Sequence, residues 1–105
     1  MEIYDVAFLQ EALDDLEEII LYIAQDSRQA ALRMHNKITE KANDLSVFPK
    51  RGRLVPDKKM SEAGYRMLGA KPYIVFYRVI GHTVFIYRVL HGATNYPLLY
   101  EKMTL

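Results

Sequence analysis

The sequence predicts an α+β fold in which a helical hairpin packs on an antiparallel sheet. Apolar residues recur at helical spacing through the first half of the chain, whereas β-branched and aromatic residues dominate three short segments of the second half. Gly81-His82 separates two of those segments by the two residues of a tight hairpin. The chain has 105 residues, half of them hydrophobic. We therefore expect one domain over residues 1–105 with a core of its own.

The N-terminal residues 2–8 predict a short strand, because they include β-branched and aromatic residues and no turn former. An amphipathic helix is predicted next, ending near Gln25. Its apolar face comprises Leu9, Ala12, Leu13, Leu16, Ile19, Ile20 and Ile23, and its acidic face comprises Glu11, Asp14, Asp15, Glu17 and Glu18. We expect the apolar face to pack on the core.

A second helix is predicted directly after the first. Asp26 and Ser27 are favourable N-cap residues, and the helical period continues through Ala31, Met34, Ile38, Ala42 and Leu45. We expect Pro49 to close this helix, because proline cannot continue it. The connection between the two helices is so short that they must form an antiparallel hairpin.

The second half predicts a long loop followed by three strands. Residues 49–64 are mostly polar and contain Gly52 and Pro56, so they predict a loop of about fifteen residues, a length that is usually functional or disordered. Strands are predicted at residues 65–69, 73–80 and 83–90. A helical turn is expected after Pro97.

The hairpin loop also predicts which residues share a face of the sheet. With a two-residue loop, Tyr77 should lie opposite Ile86, and Val75 opposite Arg88. The more aliphatic face, which we expect toward the helices, comprises Tyr73, Val75, Tyr77, Val79, Val84, Ile86, Arg88 and Leu90. The other comprises Ile74, Phe76, Arg78, Phe85, Tyr87, Val89 and His91. That aromatic face is too apolar to be left bare on a monomer, so something should cover it or bind to it.

Composition excludes several classes of protein. The chain has no cysteine, which excludes disulfides and thiolate metal sites. Glu2 and Asp5 stand where a secretory signal would be basic, and no apolar run approaches the roughly 20 residues that span a bilayer. We therefore expect a soluble, cytoplasmic protein.

Charge is distributed unevenly along the chain, although the net charge is only +1. Residues 1–26 contain eight carboxylates and no lysine or arginine, while basic residues concentrate around the predicted loop. The protein should therefore have an acidic side and a basic side. Lys50, Arg51 and Arg53 are candidates for binding a nucleic-acid backbone, with an ordinary solvated loop as the alternative.

Arg66, Arg88 and His91 form the sharpest candidate site. Arginines at adjacent strand ends can hold a phosphodiester, and an imidazole can transfer a proton near neutral pH. The alternative is that the strand arginines pair with helix carboxylates. His35 and His82 are assigned to a helix surface and a turn. The sequence has no metal-spaced histidines, phosphate-binding glycine loop or nucleophile elbow, so we expect no metal and no cofactor.

Short segments in a fixed order extend over nearly the whole chain. They are Asp15-Leu16-Glu17-Glu18-Ile19-Ile20, Phe48-Pro49 with Gly52-Arg53, Tyr65-Arg66, Tyr73-Ile74-Val75-Phe76-Tyr77-Arg78-Val79 and Arg88-Val89-Leu90-His91-Gly92. Together they resemble the RelE/ParE superfamily of type II toxin-antitoxin toxins. The resemblance implies a β-α-α-β-β-β fold, a labile antitoxin protein as partner, and toxicity by one of two routes.

In the first route, RelE-like and YoeB-like members cleave mRNA in the ribosomal A site without a metal. Arg66 and Arg88 match their strand arginines, and His91 lies near the histidine of YoeB-like members. The arginines would then stabilise the phosphorane charge, His91 would be the general acid or base, and the basic loop would hold RNA. We expect this metal-independent endoribonuclease activity, with ribosome and mRNA as partners.

In the second route, ParE-like members inhibit DNA gyrase and have no nuclease chemistry. Two features favour this alternative. Thr94 stands where many nuclease members have another arginine, and a net charge of +1 is low for a ribosome binder. A non-toxic binding module is the third interpretation.

Overall fold

The computed structural model describes residues 2–101, in which a five-stranded sheet carries helices on both faces. The elements are β1 Asp5–Phe8, α1 Gln10–Ala24, α2 Arg28–Asp44, β2 Arg53–Leu54, α3 Lys58–Glu62, β3 Arg66–Ala70, β4 Tyr73–Ile80, β5 Thr83–His91 and α4 Tyr96–Tyr100. The predicted α+β class and the order of its main elements are confirmed. Within these residues, no helix combines the length and the apolar character needed to cross a membrane.

The sheet has the strand order β1-β5-β4-β3-β2. The pairs formed by β3 with β4 and by β4 with β5 are antiparallel, as predicted, and β2, which lies within the predicted loop, adds an antiparallel pair with β3. The N-terminal strand adds a parallel pair at the edge, with Val6 opposite Val84. The sheet is therefore mixed, because the helical hairpin crosses one face between the first strand and the rest.

Local hydrogen bonds define the start of α2 and the turn that follows it. The Ser27 hydroxyl accepts the Ala30 N–H at 3.0 Å, which confirms the predicted N-cap of α2. The second helix stops at Asp44, before the predicted end at Pro49. Its end is followed by a turn whose Ser46 carbonyl accepts the Tyr4 N–H at 2.8 Å. The turn thereby joins the hairpin to the segment that enters β1.

The predicted loop contains two short elements. Leu54 in β2 pairs with Arg66, and the Asp57 side chain caps α3 by accepting the Met60 N–H at 3.1 Å. Val55 and Met60 are fully buried. The prediction of a loop without secondary structure was therefore wrong, because these two apolar side chains anchor the segment on the sheet.

The β4–β5 hairpin follows the predicted register only as far as Ile86. Gly81 has a φ of +61°, the conformation that a tight turn requires at this position, and Tyr77 lies opposite Ile86. A β-bulge then places Phe76 opposite Arg88 and Val75 opposite Val89. The predicted pairing of Val75 with Arg88 was wrong, because the bulge adds one residue to β5.

The bulge exchanges the faces of the residues that follow it. Val89 packs in the core between the sheet and helices α1 and α2, whereas Leu90 packs in the core on the face covered by α3 and α4. His91 pairs with Tyr73. The assignments of Val89, Leu90 and His91 to faces were therefore wrong. In the part of the chain that the structure describes, two separate cores result, one on each side of the sheet.

The aromatic face of the sheet is covered by the chain itself. The Tyr96 ring packs on Phe76 with centroids 5.1 Å apart, and Tyr100 packs edge-on to Tyr65 at 5.4 Å. Tyr65 is fully buried and its hydroxyl has no hydrogen-bond partner within residues 2–101. Burial raises the pKa of Tyr65 to about 12. The predicted cover is thus supplied by α3 and α4, and the helical turn expected near Pro97 is confirmed.

Candidate functional site

A groove of about 850 Å³ lies between α1 and the end of β5. Arg88 and His91 line it, so the structure brings together two of the three predicted catalytic residues. Four carboxylates from consecutive turns of α1 also line it: Asp14, Asp15, Glu17 and Glu18. The groove is therefore the centre of the acidic side that the sequence predicts.

Arg88 is held by a bidentate pair with Asp15. Its Nε donates to Asp15 Oδ2 at 2.7 Å and its Nη2 donates to Oδ1 at 2.9 Å. The Val89 N–H also donates to Asp15 Oδ2, at 2.9 Å. This fork of two parallel hydrogen bonds is the strongest arrangement of arginine with a carboxylate. The alternative interpretation, a strand arginine paired with a helix carboxylate, is confirmed for Arg88.

The pair is largely shielded from water. The side chains of Arg88 and Asp15 are 19% and 12% exposed, and Glu11 places a second carboxylate oxygen 3.7 Å from Arg88 Nη1. Hydrogen bonding to Asp15 is the largest cause that raises the pKa of Arg88 above its ordinary value. The positive charge of Arg88 is thus compensated within the protein.

His91 is exposed at the mouth of the groove. Its ring packs edge-on to Tyr73 with centroids 5.7 Å apart, and its Nδ1 accepts the Ala93 N–H at 3.0 Å. A neutral ring in this contact carries its proton on Nε2. His91 therefore presents an N–H donor to solvent, in a groove that carboxylates of α1 also line.

Arg66, the third predicted catalytic residue, is not part of the groove. Its Nη1 donates to the Gly52 carbonyl at 2.7 Å, and the Gly52 N–H donates to the Tyr77 hydroxyl at 2.8 Å. Tyr77 is fully buried, and burial raises its pKa. Arg66 thus fastens the chain before β2 to the sheet.

The predicted nucleic-acid-binding residues lie outside the groove as well. Lys50, Arg51 and Arg53 are exposed, and Arg51 Nη1 lies 3.5 Å from Asp44 Oδ2. None of the three lines the groove that contains Arg88 and His91. Their contact with nucleic acid stays a prediction.

Asp15 is the residue that the sequence interpretation missed. The helical pattern predicts it on the solvent-facing side of the first helix, with the other carboxylates. A signal for its position was present, because Asp15 follows buried Ala12 by three residues and precedes Leu16, so it borders the apolar face. Within residues 2–101, no three histidine, aspartate or glutamate side chains are grouped to hold a metal ion.

Comparison with known proteins decides the family. The model of the family described as "ParE toxin of type II toxin-antitoxin system, parDE" matches residues 6–96. The chain belongs to this toxin family. It is thus a type II toxin of the RelE/ParE superfamily, and the resemblance inferred from the ordered segments is confirmed.

Curated relatives include members with both kinds of name. Toxin RelE2 of Caulobacter vibrioides is 34% identical to this toxin over 88 residues, which are 84% of this chain and 94% of the relative. Toxin ParE3 of the same bacterium is 31% identical over 91 residues, which are 86% of this chain and 88% of the relative. Both matches span nearly the whole domain.

Solved structures share the fold. The chromosomal ParDE system from P. aeruginosa matches with a TM-score of 0.69 and 22% identity, covering 85% of this toxin and 96% of that chain. The toxin-antitoxin complex RelBE2 from Mycobacterium tuberculosis matches with a TM-score of 0.64 and 27% identity, covering 85% of this toxin and 98% of that chain.

Proposed function

We propose that this toxin arrests growth by inhibiting DNA gyrase, as ParE-like members of the superfamily do, and that a cognate antitoxin neutralises it. The observation that carries the proposal is the bidentate pair of Arg88 with Asp15 inside an acidic groove. The match of residues 6–96 to the ParE family model supports the same route.

The geometry of the groove opposes phosphodiester chemistry at Arg88 and His91. Stabilising a phosphorane requires positive groups that point at the developing charge. Arg88 already donates to Asp15 and lies near Glu11. Because these carboxylates compensate its positive charge, it would stabilise a bound phosphate only weakly. A phosphate next to His91 would also meet the repulsion of the α1 carboxylates that line the groove.

Ribosome-dependent mRNA cleavage is the second candidate. Two observations favour it: His91 is exposed beside Arg88, and Toxin RelE2 is 34% identical to this chain. In this case Asp15 would have to release Arg88 when the toxin binds the ribosome.

We expect His91→Ala to leave toxicity unchanged. The residue is exposed at the end of β5, so alanine should cost within about 1 kcal/mol of stability. The measurement is growth arrest after induction, combined with supercoiling by purified gyrase and primer extension of cellular mRNA. His35→Ala is the matched control, because His35 is an exposed histidine on α2.

The nuclease route gives a different result in the same experiment. Removal of a general acid or base typically lowers the rate by roughly 10²- to 10⁴-fold. If His91→Ala loses toxicity while His35→Ala keeps it, and if the wild type cuts mRNA while gyrase stays active, the gyrase proposal is wrong.

We infer that the antitoxin docks in the acidic groove. RelBE2 from Mycobacterium tuberculosis is a toxin-antitoxin complex of the same fold, and the groove of this toxin combines carboxylates with apolar side chains. Leu21 and Tyr22 line it and are 61% and 71% exposed. An amphipathic segment with lysine or arginine beside its apolar anchors fits this chemistry.

Tyr22→Ala should weaken the complex with the antitoxin by about 2 kcal/mol, because exposed tyrosines that become buried are typical hot spots of interfaces. Calorimetric titration with the product of the adjacent reading frame measures the effect. Leu32→Ala is the control, since Leu32 is also 61% exposed but lies on α2. An equal loss for both variants would place the antitoxin elsewhere.

A further inference from the structure

Strand β3 has an edge that is only partly paired. The short β2 pairs with Arg66 and Met67 and with no later residue of β3. It begins only at Arg53, because the preceding Gly52 is buried and donates its N–H to the Tyr77 hydroxyl at 2.8 Å. The part of β3 from Leu68 to Ala70 therefore has no neighbouring strand on this side within residues 2–101.

The direction of the backbone groups follows from the pairing of β2. The Tyr65 carbonyl accepts the Val55 N–H at 3.0 Å, so the peptide groups of residue 65 point toward β2. In a strand, the backbone N–H and C=O groups of every second residue point to the same side. The groups of Met67, which lies opposite Arg53, and of Gly69 therefore point the same way as those of residue 65. Gly69 thus directs its N–H and C=O away from β4, toward an edge without a strand.

A cavity of about 310 Å³ lies beside this edge. Met67 and Ile74 give it apolar walls, and Gly69 contributes no side chain to fill it. Arg53 and Lys71 line it as exposed cations. Within residues 2–101, neither cation lies within 4.0 Å of a carboxylate, in contrast to Arg88.

We propose that this edge and cavity bind an acidic, extended segment of a partner protein by adding it as a strand next to Gly69. The backbone of the segment would bond the N–H and C=O of Gly69, and an acidic side chain would reach Arg53 and Lys71 above the apolar wall. Free edge groups with a pocket at alternate positions are what strand addition uses. A nucleic acid would satisfy the cations but leave the strand edge unpaired. The site lies on the basic side, and it shares Tyr73 with the lining of the acidic groove of α1 but none of that groove's carboxylates.

The experiment uses a capped heptapeptide of alternating glutamate and valine as the probe, titrated into the ¹⁵N-labelled toxin. We expect the Gly69 amide signal to shift, while the signal of Tyr22 in the acidic groove stays in place. The same peptide with lysine instead of glutamate, and a single-stranded oligonucleotide, are the competing probes.

Two variants test the two halves of the site. Arg53→Gln combined with Lys71→Gln should weaken peptide binding about tenfold, because two favourable charges are removed. Arg28→Gln combined with Arg33→Gln changes the net charge equally on exposed positions of α2 and should have no such effect. Gly69→Val should abolish binding by filling the cavity. Its added Cβ meets no atom within 4 Å, and valine favours strands, so the fold should persist.

Each outcome decides for or against the site. A shift of the Gly69 signal in the wild type, together with binding that the charge variant weakens about tenfold and Gly69→Val abolishes, supports it. Equal binding of the lysine peptide, preferred binding of the oligonucleotide, shifts away from Gly69, or unchanged binding by Gly69→Val overturns it. Because the readout is binding and not toxicity, the result is independent of whether gyrase is the target.

Discussion

Replacing Asp15 by asparagine should lower the free energy of unfolding by about 3 kcal/mol, at the lower end of the range for breaking a buried ion pair. Asparagine keeps the shape of the side chain and an oxygen for the Val89 N–H. It removes the charge that compensates Arg88, which is only 19% exposed. Urea denaturation followed by circular dichroism measures the change. Glu17→Gln, on the exposed side of α1, should change stability by no more than about 0.5 kcal/mol.

A double-mutant cycle separates the pair from its surroundings. Arg88→Gln alone should also destabilise the protein, and the two substitutions together should cost less than the sum of the single effects. The coupling is expected because each single variant leaves one charged partner behind. If Asp15→Asn costs no more than Glu17→Gln, Arg88 is not held by Asp15. The physical objection to a nuclease at this groove would then be removed.

The regular elements of this toxin were predictable because their signals are local. The helical period and the Ser27 cap locate α1 and α2, and the Gly81-His82 turn locates β4 and β5 with their register as far as Ile86. Each signal depends on residues within a few positions of one another. Such patterns do not require knowledge of the rest of the fold.

The bulge after Ile86 was not predictable in the same way. The segment after Ile86 has no glycine to mark an interruption, so the sequence predicts uninterrupted alternation of faces through Tyr87, Arg88, Val89 and Leu90. The extra residue moves Arg88 from a position opposite Val75 to one opposite Phe76. The sequence interpretation therefore identified Arg88 and His91 as residues of one site but misplaced His91 on the sheet.

The partner of Arg88 could not be chosen from sequence either. Asp15 is 73 residues away, and it is one of eight carboxylates in residues 1–26. The packing of α1 across the sheet determines that Asp15 is the carboxylate that pairs with Arg88. The same holds for Arg66, whose acceptor is a backbone carbonyl 14 residues earlier in a segment that had been predicted as a loop.

Gly52→Ala should lower the free energy of unfolding by about 3 kcal/mol, near the upper limit for overpacking a tight site. A Cβ at this position would lie 2.7 Å from the Met67 carbonyl oxygen and 2.8 Å from both Cε1 and the hydroxyl of Tyr77. The Met67 carbonyl belongs to the backbone of β3 and Tyr77 is fully buried, so neither can move without disturbing the sheet.

This loss of stability would be caused by steric overlap, and it would also weaken the hydrogen bond of Arg66. Displacing Gly52 lengthens the bonds from its N–H to Tyr77 and from Arg66 to its carbonyl, which are 2.8 and 2.7 Å in the native fold. Gly69→Ala is the matched control, because its Cβ meets no atom within 4 Å, and it should be neutral or slightly stabilising. Urea denaturation of the two variants compares them directly. If Gly52→Ala unfolds at the same urea concentration as Gly69→Ala, the backbone before β2 can shift to accommodate the added Cβ at little cost in stability. Arg66 would then be available for a role other than holding it.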